Sequence, residues 1–127
     1  MTRHILIADD EPDIRELMAM FIGACDDDIE THIAENGEIA FEMYRQLAEG
    51  GARPDVVIMD LRMPVMGGIE ATEKIIGDCP DAKVYVVTAY SDPGLIEEAM
   101  NAGAEDVVNK TTGFGEIAEM VRCALES

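Results

Sequence analysis

The chain has 127 residues, enough for one domain with a single core and too few for two. Its formal net charge of −18 argues against nucleic acid or an anionic membrane as a direct partner, because either needs a basic face. That charge fits divalent cations or basic partner surfaces, although solvation alone accounts for most of the acids.

Ile5-Leu6-Ile7-Ala8 is an apolar run that reads as a strand and ends in Asp9-Asp10-Glu11. Pro12 suits a first helical position, and Ile14, Leu17, Met18, Phe21 and Ile22 follow at the spacing of one apolar helix face. Ile29 to Ala34 makes a weaker, alternating strand of the kind found at a sheet edge. After the Asn36-Gly37 turn, Ala40, Met43, Tyr44 and Leu47 mark a second helix, stopped by Gly50-Gly51.

Val56-Val57-Ile58-Met59 reads as a strand buried on both faces, and it runs straight into Asp60 and a loop carrying Pro64 and Gly67-Gly68. Ile69, Thr72, Ile75 and Ile76 give a third helix, broken by Gly77 and Pro80. Val84-Tyr85-Val86-Val87 is another buried strand, ending in Thr88-Ala89. Ser91-Asp92-Pro93 reads as a cap and start for a helix carrying Leu95, Ile96, Ala99 and Met100, closed by Gly103. Val107-Val108 is a brief fifth strand ending at Asn109-Lys110, and Ile117, Val121, Ala124 and Leu125 line the last helix.

Strict alternation with short connections predicts an α/β fold with a five-stranded parallel sheet. All strand carboxyl ends then share one edge, where such sheets keep their ligands. Four strands deliver Asp9 and Asp10, Asp60, Thr88 and Lys110 to that edge. Each alone is unremarkable, since an Asp closing a strand is commonly a turn former. Their convergence makes a site.

Two unit charges about 4 Å apart repel by roughly 4 kcal/mol at an effective dielectric near 20, so clustered carboxylates require a cation. Lys110 supplies one charge. Hard oxygen donors without His or Cys suit Mg²⁺, with Mn²⁺ as a substitute. With a hydroxyl and an ammonium, the set makes a receptor for a phosphoryl group, and a carboxylate can itself be the nucleophile.

Ala8-Asp9-Asp10-Glu11, Met59-Asp60-Leu61-Arg62-Met63-Pro64, Val87-Thr88-Ala89 and Asn109-Lys110 resemble, in order and spacing, the four signature segments of the two-component response regulator receiver domain. Within that family the chain resembles the chemotaxis-regulator type. The resemblance covers essentially residues 1–127 as one receiver domain, and implies a flavodoxin-like three-layer sandwich with strand order 2-1-3-4-5. It implies Asp60 as acceptor of a phosphoryl group from a sensor histidine kinase or phosphotransfer protein. It further implies Mg²⁺ held by Asp10, Asp60 and the backbone carbonyl of Arg62, with Asp9 acting mostly through water. Thr88 and Lys110 would each meet a phosphoryl oxygen. Such a protein is no conventional enzyme, but it promotes its own phosphorylation and slow dephosphorylation. It acts in the cytoplasm on an output domain or target, through the face made by the fourth helix, fifth strand and fifth helix.

Two departures stand out. Thr111 follows Lys110 where relatives often have a cis-joined proline, and Val107 stands where a switching aromatic often sits. The signal is therefore expected to leave through the Thr88–Pro93 loop, with Tyr90 as its mobile ring. A Mg²⁺-dependent aspartyl-nucleophile phosphatase is a competing reading, but it needs an Asp where Arg62 stands, and Arg cannot donate a proton at neutral pH. A phosphorylation-independent interaction module is another.

Ser127 follows the last helix directly, while the segment from Asp60 to Thr72 resembles regulators carrying a DNA-binding helix-turn-helix, so both a stand-alone receiver and a fused one stay open. Cys25, Cys79 and Cys123 read as reduced, buried thiols, with no spacing for a disulfide frame or zinc. His4 and His32 read as structural residues without a second ligand nearby. No apolar run approaches a membrane span, and the first residues lack a signal-peptide pattern.

Overall fold

The computed structural model describes residues 2–89 and 92–126. The apolar runs become β1 (Arg3–Ala8), β2 (Ile29–Ala34), β3 (Val56–Met59), β4 (Val84–Thr88) and β5 (Asp106–Asn109). Between and after them lie α1 (Pro12–Gly23), α2 (Gly37–Glu49), α3 (Gly68–Asp78), α4 (Pro93–Asn101) and α5 (Phe114–Glu126). All pairings are parallel, in the order β2-β1-β3-β4-β5. The fold is the expected flavodoxin-like sandwich.

Two apolar layers hold it together. Leu6, Ala8, Val57, Met59, Val84 and Val86 face Ala40 and Tyr44 of α2, Ala71 and Ile75 of α3, and Ala99 of α4. The alternate residues Ile5, Ile7, Val56, Ile58 and Val87 face Met18 and Ile22 of α1 and Ile117, Ala118, Val121 and Ala124 of α5. A central strand with period-two side chains and helices on both faces must be apolar throughout, which is why all four residues of β3 are buried. β2 is the edge strand that its weaker pattern predicts.

Several expectations need correction. α1 buries Met18 and Ile22 but leaves Leu17 and Phe21 partly exposed, and Phe21 stacks on Phe114 at the α1–α5 seam. α3 runs through Gly77 to Asp78 instead of breaking there. The cysteines are not buried: Cys25 and Cys123 are exposed and Cys79 is half-buried. Cys25 lies in the turn after α1, and Cys123 falls off the buried stripe of α5. His4 and His32 are not isolated either. β1 and β2 pair in a register that sets His4 beside Glu30, and the two imidazoles meet with Nδ1 of His4 3.1 Å from Nε2 of His32.

Glycines shape the loop that leaves β3. The Gly68 N–H donates to the Leu61 carbonyl at 2.9 Å, and the Gly37 N–H donates to that of Met66 at 2.9 Å, clamping the loop between α2 and α3. A Cβ on Gly68 would lie 1.9 Å from the Asp60 carbonyl oxygen, inside any permitted contact. A Cβ on Gly77 would meet nothing within 4 Å. Gly68→Ala should therefore destabilise the protein by at least about 2 kcal/mol, and Gly77→Ala should leave it equal or up to about 1 kcal/mol more stable. Urea unfolding of the pair checks this, and equal stabilities would contradict it.

Candidate functional site

The carboxyl edge of the sheet gathers the predicted side chains. Asp9 directly follows β1 and Asp60 follows β3, the neighbouring strand. Both are buried, at 0% and 5% exposure, whereas Asp10 faces solvent. One oxygen from each of Asp9, Asp10 and Asp60 lies within 4.8 Å of the others. Thr88, the last residue of β4, is buried and pairs in register with Asn109 of β5. Lys110 comes next in the chain, opening a single 3-10 turn over Lys110–Thr112.

Lys110 ties the set together. Its Nζ lies 2.8 Å from Asp9 Oδ2 and 3.2 Å from Asp60 Oδ2, with Glu11 at 3.7 Å on the rim. The pair with Asp60 is a formed hydrogen bond. That with Asp9 is an ion pair without hydrogen-bond geometry, so Asp9 Oδ2 is a buried oxygen lacking a directional donor. The other oxygens are held by backbone: the Glu11 N–H donates to Asp9 Oδ1 and the Leu61 N–H to Asp60 Oδ1, both at 2.9 Å. Pro12 then starts α1 without a side-chain cap. Arg62 is exposed in the loop after β3, where Val65 takes a left-handed φ of 69°, an uncommon conformation for a β-branched residue. Tyr90 lies outside the described residues, as does Ser91; Asp92 caps α4 by accepting from the Gly94 N–H.

The crowding shifts protons. Burial, followed by the Asp9 charge, raises Asp60 from 3.8 to about 6, against the pull of Lys110. Burial pulls Lys110 down, but its contacts with Asp9 and Asp60 outweigh that and raise it overall. One ammonium against three carboxylates leaves the pocket with excess negative charge. An all-oxygen donor set whose carboxylates outnumber the one ammonium fits a hard divalent cation such as Mg²⁺.

An open 2-1-3-4-5 sheet with an acidic pocket and an ammonium at its carboxyl edge is the architecture of a signalling receiver. The chain belongs to the response regulator receiver domain family of two-component systems, whose model matches residues 5–122. It is 35% identical over 117 residues to the transcriptional regulatory protein LnrK of Bacillus subtilis, covering 92% of this chain and 51% of that protein. It is 34% identical over 110 residues to the chemotaxis protein CheY of Thermotoga maritima, covering 87% of each. A LuxR-family response regulator from Aurantimonas superposes with a TM-score of 0.86 at 28% identity, over 99% of this chain and 86% of that one. The chain spans about half the length of LnrK, and a quarter of that of AtoC of Escherichia coli, to which it is also similar. Receivers of this family bind Mg²⁺ and work with histidine kinases and with output domains or targets. No helix among the described residues is long and apolar enough to cross a membrane.

Sequence reasoning found the charged members of this pocket, but not the 3-10 turn that carries Lys110. Asn109 signals it: its side chain accepts from the Thr111 N–H, a local cap.

The raised Asp60 has a stability consequence. The folded protein binds this proton more tightly than the unfolded chain, so no penalty exists below about pH 4. The penalty grows as pH rises through 6, to about 3 kcal/mol. In metal-free buffer at pH 7, Asp60→Asn should be more stable than the parent by up to that amount, the gain fading toward pH 4. Urea melts across this range check it, and a variant less stable at pH 7 would contradict it.

Proposed function

We propose that residues 1–127 act as one receiver domain that takes a phosphoryl group from the phosphohistidine of a sensor kinase or phosphotransfer protein onto Asp60. The observation that carries this reading is the buried Asp60 carboxylate held by Lys110 at 3.2 Å beside Asp9. A carboxylate titrating near 6 is mostly ionised at pH 7, yet more basic than an ordinary Asp. It is therefore available as a nucleophile and stronger than one at 3.8.

An Asp60 oxygen attacks phosphorus as the phosphorus–nitrogen bond of the phosphohistidine breaks. The imidazole leaves with the electron pair and takes a proton from solvent. Asp10, Asp60 and the Arg62 carbonyl would hold Mg²⁺, with Asp9 acting mostly through water, and the bound ion would neutralise charge on the transferring group. Lys110 would exchange its Asp60 contact for a phosphoryl oxygen, and the Thr88 hydroxyl would meet another. Arg62 at the second position after Asp60 offers no proton to a leaving group, which supports a receiver over a phosphatase.

The output surface in this reading is the face of α4, β5 and α5. Val107 packs half-buried on the α2–α4 side, and valine has few rotamers to exchange. The segment from Thr88 to α4 is then the route of the switch, and the partner is a target protein or an attached output domain. The cytoplasm is the compartment that a kinase partner implies.

Acetyl phosphate with Mg²⁺ should add one phosphate mass to the parent, and the adduct should be labile to hydroxylamine, as acyl phosphates are. Asp60→Asn should take up none while keeping its circular dichroism. An adduct of the same mass persisting in that variant would move the acceptor elsewhere.

A further inference from the structure

At the other end of the sheet, three side chains converge that the receiver chemistry does not use. His4, Glu30 and His32 occupy alternate positions on paired strands, so the period of two puts all three on one face of the β1–β2 ribbon. His4 is five residues before Asp9, and His32 pairs with Leu6, three residues before it, which at about 3.3 Å per residue places the cluster's backbone roughly 10–16 Å from Asp9.

Its geometry is that of a ligand set. His4 Nδ1 lies 3.1 Å from His32 Nε2 and 3.8 Å from Glu30 Oε2, and one donor atom of each residue falls within 4.8 Å of the others. A four-coordinate ion with bonds of about 2.0–2.1 Å holds its ligand atoms about 3.3–3.4 Å apart, so the two spacings from His4 Nδ1 need adjustments of about half an ångström or less, and the exposed Glu30 side chain can swing to close the third. The rings are tilted by 30° with centroids 5.4 Å apart, so their nitrogens meet edge to edge instead of stacking.

The backbone beneath is fixed. The His4 N–H donates to Asp55 Oδ2 at 2.8 Å, and the Asp55 N–H donates to the His4 carbonyl at 2.7 Å. Both histidines are half-buried, while Glu30 is exposed and leaves the open side to solvent.

We propose that His4 Nδ1, His32 Nε2 and a Glu30 carboxylate oxygen form a second metal site, selective for a borderline divalent transition ion of the Zn²⁺ class. Two imidazoles and one carboxylate suit such an ion and disfavour Mg²⁺, which prefers oxygen donors and keeps its waters. The two ends of the sheet thus differ in donor softness, and each takes its own cation. Three protein ligands leave a coordination position for water or a donor from another molecule. The net charge of −18 favours any cation at either end.

The test uses the full chain, stripped with EDTA, in saturating Mg²⁺ to fill the acidic pocket. Calorimetric titration with Zn²⁺ should give one site. His32→Gln and His4→Gln should each weaken it at least tenfold, Glu30→Gln should weaken it several-fold, and Asp10→Asn should leave it unchanged. Co²⁺ substitution should give the visible bands of a tetrahedral nitrogen–oxygen site without a thiolate charge-transfer band. Because Glu30 is exposed, Glu30→Gln keeps the test readable even where a histidine variant misfolds. No Zn²⁺ binding by the parent would overturn the proposal. So would affinity unchanged in the folded His and Glu variants, loss in Asp10→Asn instead, or a thiolate band assigning the metal to Cys25 or Cys123.

Discussion

The fold is built around one ammonium placed between two buried carboxylates. Lys110 meets Asp9 at 2.8 Å and Asp60 at 3.2 Å, and both acids are almost wholly removed from water. Either carboxylate, buried without a partner, would cost several kcal/mol. The sheet order makes the contact possible. β1 and β3 are neighbours, so Asp9 and Asp60 are forced side by side, and β5 lies beyond β4, roughly 10 Å from β3. Only a long, flexible side chain starting just past β5 can cross that width, and lysine has the reach. Thr88 ends β4, the strand being crossed, so it stands at the same edge.

The pair is under-neutralised. Lys110 offsets only part of the repulsion, so Asp60 titrates near 6 and Asp9 keeps a buried oxygen without a directional donor. In the proposed reading, that surplus charge is what a bound cation would offset. Glycines brace the site. Gly68 lets α3 begin against the Asp60 backbone, and Gly37 clamps the loop from the other side, so the acid sits on a braced strand end. The α/β scaffold thus holds a strained charge arrangement rigid while leaving Asp10 and the loop after β3 open to solvent.

Much of this was legible in the sequence because burial on both faces leaves an unbroken apolar run, and each run here ends in a polar residue that matters. Asp9, Asp60, Thr88 and Lys110 could be read as convergent from alternation alone, and the ordered motifs then fixed the family. What could not be read depended on neighbours across strands. The His4–His32 contact exists only because β1 and β2 pair in one register, and nothing in the spacing of residues 4 and 32 encodes it. Cysteine is usually buried, but Cys123 lies outside the apolar stripe of α5 that Ile117, Val121 and Ala124 define and is exposed. Phe21 continues the periodicity of α1 but falls at its seam with α5, where Phe114 covers only one side.

The claim that the carboxyl edge carries excess negative charge awaiting a hard cation is tested most directly by a Mg²⁺ titration of thermal stability. A ligand that binds only the folded state raises the melting temperature as its concentration passes its dissociation constant. The parent should gain several degrees in millimolar Mg²⁺ at constant ionic strength, and Asp10→Asn should lose most of that gain. A parent whose melting temperature is indifferent to Mg²⁺, or an Asp10→Asn variant that responds in full, would contradict the account.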